Sequence, residues 1–318
     1  MRMPRQREIL MTLCKQRLGL RLAVIVLTAG AVSLRSASGA PTDAPQSSTP
    51  APAAAPGAPN LANWWEKTSL DFLTVKKTLV HTTGNISVMQ ADGNTSGHTL
   101  DVGGSVTARR WKLTNEFFVD VNRQDITYGP GGGSADYHEH TFRNQVSLDL
   151  TRRVWLIGGI EHYRNTLYFM EKRLNTYGGI GASPYHTERH RFDLVAALGH
   201  ATFKFDKSGM LELGPHISAN VATLDTMTPS SGGMLGMQSW SWAVNPRLSL
   251  NEDASFMEYF NPMLGRRLTL NVSGDIPVSK HVSIGPAYRI KREVNAYVTA
   301  LELKPMDRMF LFNFRVSM

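Results

Sequence analysis

From residue 100 onward the chain alternates apolar and polar residues almost without a break. In LDVGGSVTARR, Leu100, Val102, Gly104, Val106 and Ala108 share one face, and Asp101, Gly103, Ser105, Thr107 and Arg109 share the other. LTNEFFVDVN sets Leu113, Phe117, Val119 and Val121 against Thr114, Glu116, Asp120 and Asn122. FRNQVSLDL sets Phe142, Val146, Leu148 and Leu150 against Arg143, Gln145, Ser147 and Asp149. The same period runs through SWSWAVNPRLSL, RLTLNVSGDI and VSIGPAYRIK, and through MFLFNFRVSM, where Phe310, Phe312, Phe314, Val316 and Met318 form an aromatic stripe. Period two is the mark of strands, and no long segment carries the 3.6-residue period of a helix.

A soluble sandwich alternates as well, so other features must decide. The segments run to ten residues or more, close to the ~9–11 that cross a bilayer and longer than the ~5–6 usual in soluble sheets. Ionised groups recur on the face opposite the apolar one, as a polar barrel lumen requires. Connections near 108–112, 150–154, 185–189, 251–254 and 277–281 are short, whereas 125–139 and 294–305 are long. Short turns at one end and long loops at the other fit an outer-membrane barrel. Thirteen candidate strands can be marked. Placing LELGPHISANV (211–221) in an extended outer loop leaves a closed antiparallel all-β barrel of twelve strands. Fourteen is the alternative, with residues 68–76 as an extra first strand.

The N-terminal part reads differently. Basic residues up to Arg21, the apolar run Leu22–Val32 and the small residues Ser36–Ala40 have the three parts of a secretory signal, with cleavage expected after Gly39. The expected organisation is therefore signal peptide 1–39, disordered Pro/Ala-rich spacer 40–60, periplasmic or interfacial lead-in 61–77 carrying Trp64 and Trp65, and barrel 78–318. The formal net charge of +8 would suggest an anionic partner. Setting aside the seven basic groups and one acid of residues 1–40 from totals of 34 and 26 leaves 27 basic and 25 acidic residues, so the excess goes with the signal. Nucleic-acid binding is not expected. The one cysteine, Cys14, also lies in the signal, which leaves a mature chain without disulfides or thiolate sites.

Motifs for chemistry are sparse. His138, Glu139 and His140 could approach a zinc ligand set, but a solvated loop edge explains them equally. His216–Ser218 and His281–Ser283 have the spacing that sets a base beside a nucleophile on one strand face. They give the alternative of an outer-membrane lipid-modifying hydrolase. GPGGGSA (129–135) lacks the lysine and strand–helix setting of a phosphate loop. No catalytic residue, metal site or cofactor is expected. The charges Asp101, Glu116, Asp120, Arg143, Asp149, Arg173, Asp275, Arg289 and Arg315 are assigned to the lumen, lining a passage or forming a salt-bridged plug.

Several stretches carry a resemblance. ADGNTSGHTLDVGGSVTARR (91–110), then RRVWLIGGIEHYRN, RLNTYGGIGASPY and RFDLVAALG, follow in order the strands of a family of salt-induced outer-membrane proteins built on a domain of unknown function. The resemblance covers residues 78 to 318 and implies a fold and a location, with no catalytic residues to carry over. Phe310, Phe312, Phe314, Val316 and Met318 resemble the C-terminal signal read by the barrel-assembly machinery, although Met318 stands where the terminal Phe is usual. The chain is expected in a Gram-negative outer membrane, as a monomer among outer-membrane lipid and lipopolysaccharide. A passive channel or an envelope or stress role is the function expected. A soluble β-domain tethered to the envelope is the remaining alternative.

Overall fold

The computed structural model describes residues 78–92, 97–127, 134–187, 189–212, 215–224, 227–245, 247–279, 281–303 and 305–318. The expected signal, spacer and lead-in lie outside these residues. In chain order the elements are β1 (Leu79–Asp92), β2 (Gly97–Arg110), β3 (Leu113–Thr127), β4 (Ser134–Asp149), β5 (Val154–Asn165), β6 (Met170–His186) and β7 (His190–Phe205). Helices α1 (Lys207–Leu211) and α2 (Pro215–Ala222) follow, then β8 (Ser230–Asn245), β9 (Leu248–Tyr259), β10 (Arg266–Pro277), β11 (Val282–Val294), α3 (Ala296–Ala300) and β12 (Met306–Ser317). The twelve strands pair antiparallel, each with its sequence neighbour, and β12 closes on β1. That closing seam runs from Thr83 opposite Ser317 to Asp92 opposite Arg308. Closure at twelve excludes the fourteen-strand alternative, in which another strand would separate β12 from β1.

Alternation decides which residues line which surface. On β12, Phe310, Phe312 and Phe314 point outward and are 60%, 54% and 45% exposed, while Met309 and Leu311 on the opposite face are buried. Ile86 and Val88 on β1, Val102 on β2, Ile160 on β5 and Leu198 on β7 repeat this outward apolar row. Inside, Asp101, Asn122, Arg173 and Ser273 are buried. The molecule is apolar outside and polar within. Covering a Phe or Leu with hydrocarbon instead of water is worth ~1.5–3 kcal/mol per side chain. The strands, 12 residues long in β5 and 17 in β6, are long enough to cross a bilayer. A closed barrel also leaves no strand edge unpaired in lipid. The exterior is a membrane-spanning surface, and a soluble envelope-tethered domain does not fit it.

The connections at 111–112, 150–153, 187–189, 246–247 and 278–281 are short and share one end. The opposite end carries the long connections 206–229 and 295–305. Three sequence expectations change. The connection expected at 251–254 lies inside β9, and the chain instead turns between the end of β8 at Asn245 and the start of β9 at Leu248. β3 and β4 reach into the long loop expected at 125–139, paired as far as Thr127 opposite Ser134. LELGPHISANV is helical where described, not extended. Pro215 takes the first position of α2, where a missing N–H costs nothing.

Candidate functional site

The lumen divides into two halves. Toward the long-loop end, side chains tie opposite walls together. Lys291 Nζ on β11 donates to Glu139 Oε1 on β4 at 2.5 Å, with both side chains mostly buried. Tyr168, in the turn after β5, donates its hydroxyl to Asp307 Oδ2 on β12 at 2.7 Å. The Arg267 guanidinium on β10 lies 4.5 Å from the ring centre of Tyr163 on β5, and Arg173 covers the same ring at 4.1 Å. In the strand order the pairs Lys291–Glu139, Tyr168–Asp307 and Arg267–Tyr163 each stand nearly half a circumference apart, whereas Arg173 on β6 is the cross-strand neighbour of Tyr163. Burial, and next the Asp307 carboxylate, push the Tyr168 phenol well above its ordinary range, so it stays a neutral donor.

Above these ties sits an apolar cap. Phe203, Phe205, Met210, Val221, Tyr259, Leu264, Tyr297 and Val298 form one buried cluster. Phe205 stacks on Tyr297 at 3.7 Å, and Phe203 meets Tyr259 edge-on at 5.2 Å. Local sequence holds the cap in shape. The Asp206 side chain accepts from Gly209 N to start α1, and Asn295 accepts from Val298 N at 2.8 Å to start α3. Gly265 has φ +53, which lets the β9–β10 turn pass close to Val294 O, where any Cβ would clash.

Each lumen charge expected from the sequence faces inward. Arg289 Nη1 lies 3.2 Å from Asp101 Oδ2 and 3.8 Å from Asp120 Oδ2. Gly103, inward on β2, makes room beside them, because a Cβ there would stand 2.9 Å from Asp120 Oδ1. Arg143 pairs with Glu116 at 3.5 Å, and Arg315 Nη1 donates to Asp275 Oδ2 at 2.7 Å. Arg173 is fully enclosed and reaches Glu161 at 3.3 Å. Asp149 is buried at the short-turn end. The partners Glu161, Arg267 and Lys291 are not among the residues the sequence singles out, and Glu139 stands there only as a zinc candidate. Their inward parity is legible, but which residue meets which across the lumen depends on strand tilt and stagger.

Toward the short-turn end the lumen is polar, with exposed side chains beside the buried Asp149 and Asp275. Ser239 Oγ donates to Asp253 Oδ1 at 2.7 Å, and both residues are exposed. Arg191 pairs with Asp193 at 2.7 Å and remains 33% exposed. This half is a charged vestibule beneath a packed and capped upper half.

The candidate chemistry does not assemble. Glu139 points into the lumen, whereas His138 and His140 point outward, and His140 stacks on His162 at 6.0 Å. No group of metal-ligating side chains occurs among the described residues. In α2, Ser218 Oγ donates to Leu211 O and His216 meets Glu302, since helical residues two apart do not share a face. His281 Nδ1 is bonded to Ser317 O at 3.0 Å.

Comparison with solved structures finds barrels at low identity. The NanC porin is 5% identical with a TM-score of 0.47, the match covering 73% of this chain and 98% of that one. The COG4313 outer membrane channel from Pseudomonas putida F1 is 10% identical with a TM-score of 0.41, covering 76% and 95%. The KdgM porin is 8% identical with a TM-score of 0.38, covering 74% and 99%. At these scores the likenesses carry no argument about transport. No curated protein matches the chain. A family model matches residues 84–317, nearly the whole barrel, and the chain belongs to that family, described as Protein of unknown function, DUF481.

Proposed function

We propose that the protein is an outer-membrane barrel of a Gram-negative envelope whose lumen is shut toward the cell exterior and open toward the periplasm. Its resting state is a closed channel and not a general porin. The observation that carries this reading is the set of ties across the upper lumen, Lys291–Glu139 and Tyr168–Asp307 foremost. Long loops on the outside and short turns in the periplasm set the orientation. The secretory signal read at residues 1–39 supports export, and the stripe from Phe310 to Met318 supports recognition by the barrel-assembly machinery. The outward apolar rows suit outer-membrane lipid and lipopolysaccharide as neighbours. A salt-induced envelope role rests on the family resemblance alone. No step of lipid hydrolysis is proposed, because neither His-x-Ser pair forms a base–nucleophile contact.

Liposome swelling tests the reading. Vesicles carrying refolded wild type should swell in arabinose no faster than empty vesicles. Removal of residues 207–224 together with Tyr168→Ala and Lys291→Ala should raise the rate several-fold. Swelling by wild type at the rate of a general porin would refute the closed state.

A further inference from the structure

Glu252 breaks the outward apolar row. It lies on the outer face midway along β9, with Leu248 and Leu250 on one side and Ala254 and Phe256 on the other. Its cross-strand neighbours are Trp240 on β8 and Val272 on β10, both outward. Among the described residues, the outward positions of β9 from Leu248 to Phe256 and their partners on β8 and β10 hold no other acidic or basic side chain. An ionisable group at that depth is costly in lipid and is normally turned toward a protein partner or an aqueous path. Glu252 has no lumen to turn to. Its one hydrogen bond is from Gln238 Nε2, at 3.1 Å, and Gln238 is itself outward on β8. That bond uses a fraction of what a carboxylate and a primary amide can form. The outward pair Asn144–Asn115, bonded at 2.9 Å, is uncharged and carries no such demand.

The surroundings admit a close neighbour. Gly236 and Ala254 flank the polar pair, and a Cβ at Gly236 would meet nothing within 4 Å. Gly274 on β10 is a second small position, on the far side of Glu252 and Val272 from Ala254, with Leu250 Cδ2 at 3.6 Å as its nearest obstruction. Membrane-embedded interfaces are built this way, from small residues that let backbones approach and from polar side chains that bond across.

We propose that the outward face of β8 and β9, centred on Gln238 and Glu252, is covered by a second copy of this chain and forms a two-fold dimer in the membrane. The pair is self-complementary. In an isologous contact about an axis along the membrane normal, Gln238 of each copy donates to Glu252 of the other, so one patch supplies both donor and acceptor. The dimer replaces the monomer expected from the sequence. It rests on the membrane-barrel reading above and is independent of whether the lumen is shut.

The test is cysteine cross-linking in outer membranes, in a Cys14→Ser background, with a short bis-maleimide. Ala254→Cys should give a cross-linked homodimer, whereas Val102→Cys, outward on β2 across the barrel, should stay monomeric. Adding Gln238→Leu and Glu252→Leu to Ala254→Cys should lower the dimer at least tenfold while the heat-modifiable monomer band persists. A folded Ala254→Cys barrel that stays monomeric, an adduct with the mass of another protein, or a dimer unaffected by the two leucines would overturn the proposal. Loss of heat-modifiability in the parent protein would sink the membrane-barrel reading instead, and the dimer with it.

Discussion

Replacing Lys291 with Met should destabilise the barrel far more than loss of a surface ion pair. Lys291 and Glu139 meet at 2.5 Å, and their side chains are 14% and 12% exposed. They belong to strands almost opposite one another. An exposed pair would be worth ~0–1 kcal/mol. Removing one partner of an enclosed pair leaves the other charge buried and costs ~3–5 kcal/mol. Glu139→Gln alone should cost a similar amount. The double variant Lys291→Met with Glu139→Gln should recover most of the loss, to within ~1 kcal/mol of wild type, because a neutral pair can be enclosed cheaply. The coupling measured by this cycle, the two single losses less that of the double variant, should therefore be ~5 kcal/mol or more, far above what independent sites show. Equilibrium urea unfolding in phospholipid vesicles, followed by tryptophan fluorescence and by gel mobility without boiling, supplies the free energies. Single variants costing under ~1 kcal/mol that simply add in the double variant would mean that water fills the lumen at this height, and the packed upper half would be wrong.

Other expectations follow from the same geometry. Val102→Arg places a charge on the lipid-facing surface opposite Ile86 and Val121 and should cost ~2–4 kcal/mol in vesicle refolding, against much less for Asn271→Ala on the lumen side. In a Cys14→Ser background, Ala222→Cys in the long loop should react with an impermeant maleimide on intact cells and Arg247→Cys at the short-turn end should not; equal reactivity would reverse or abolish the orientation. Deleting residues 309–318 removes the strand that pairs with both β11 and β1. It should abolish the heat-modifiable band, whereas Met318→Phe should leave it intact or strengthen it.

Much of the barrel can be read from one sequence because its rule is local. A residue's parity within a strand decides whether it meets lipid or lumen, so Phe310, Phe312 and Phe314 announce the outer surface and Asp101 or Arg289 the inner one. The misreadings have local causes too. A connection is expected near 251–254, where Glu252 and Asp253 set two carboxylates side by side and a strand with one lipid face has room for one. One does point into lipid-facing territory, and its Gln238 partner sits fourteen residues away on another strand. LELGPHISANV alternates by accident of composition, and the cap beneath it, not its period, makes it helical. Ties across the lumen are the least legible. Lys291 and Glu139 are separated by 152 positions, and only the stagger of all the strands between them brings them together.

On the function proposed above, the lumen is shut by its own side chains. Single-channel recording in a planar bilayer addresses it most directly. Wild type inserted at low voltage should show no steady open level, and the variant lacking residues 207–224 with Tyr168→Ala and Lys291→Ala should show discrete, long-lived openings. A wild-type protein that conducts continuously at a level the variant does not exceed would contradict the account.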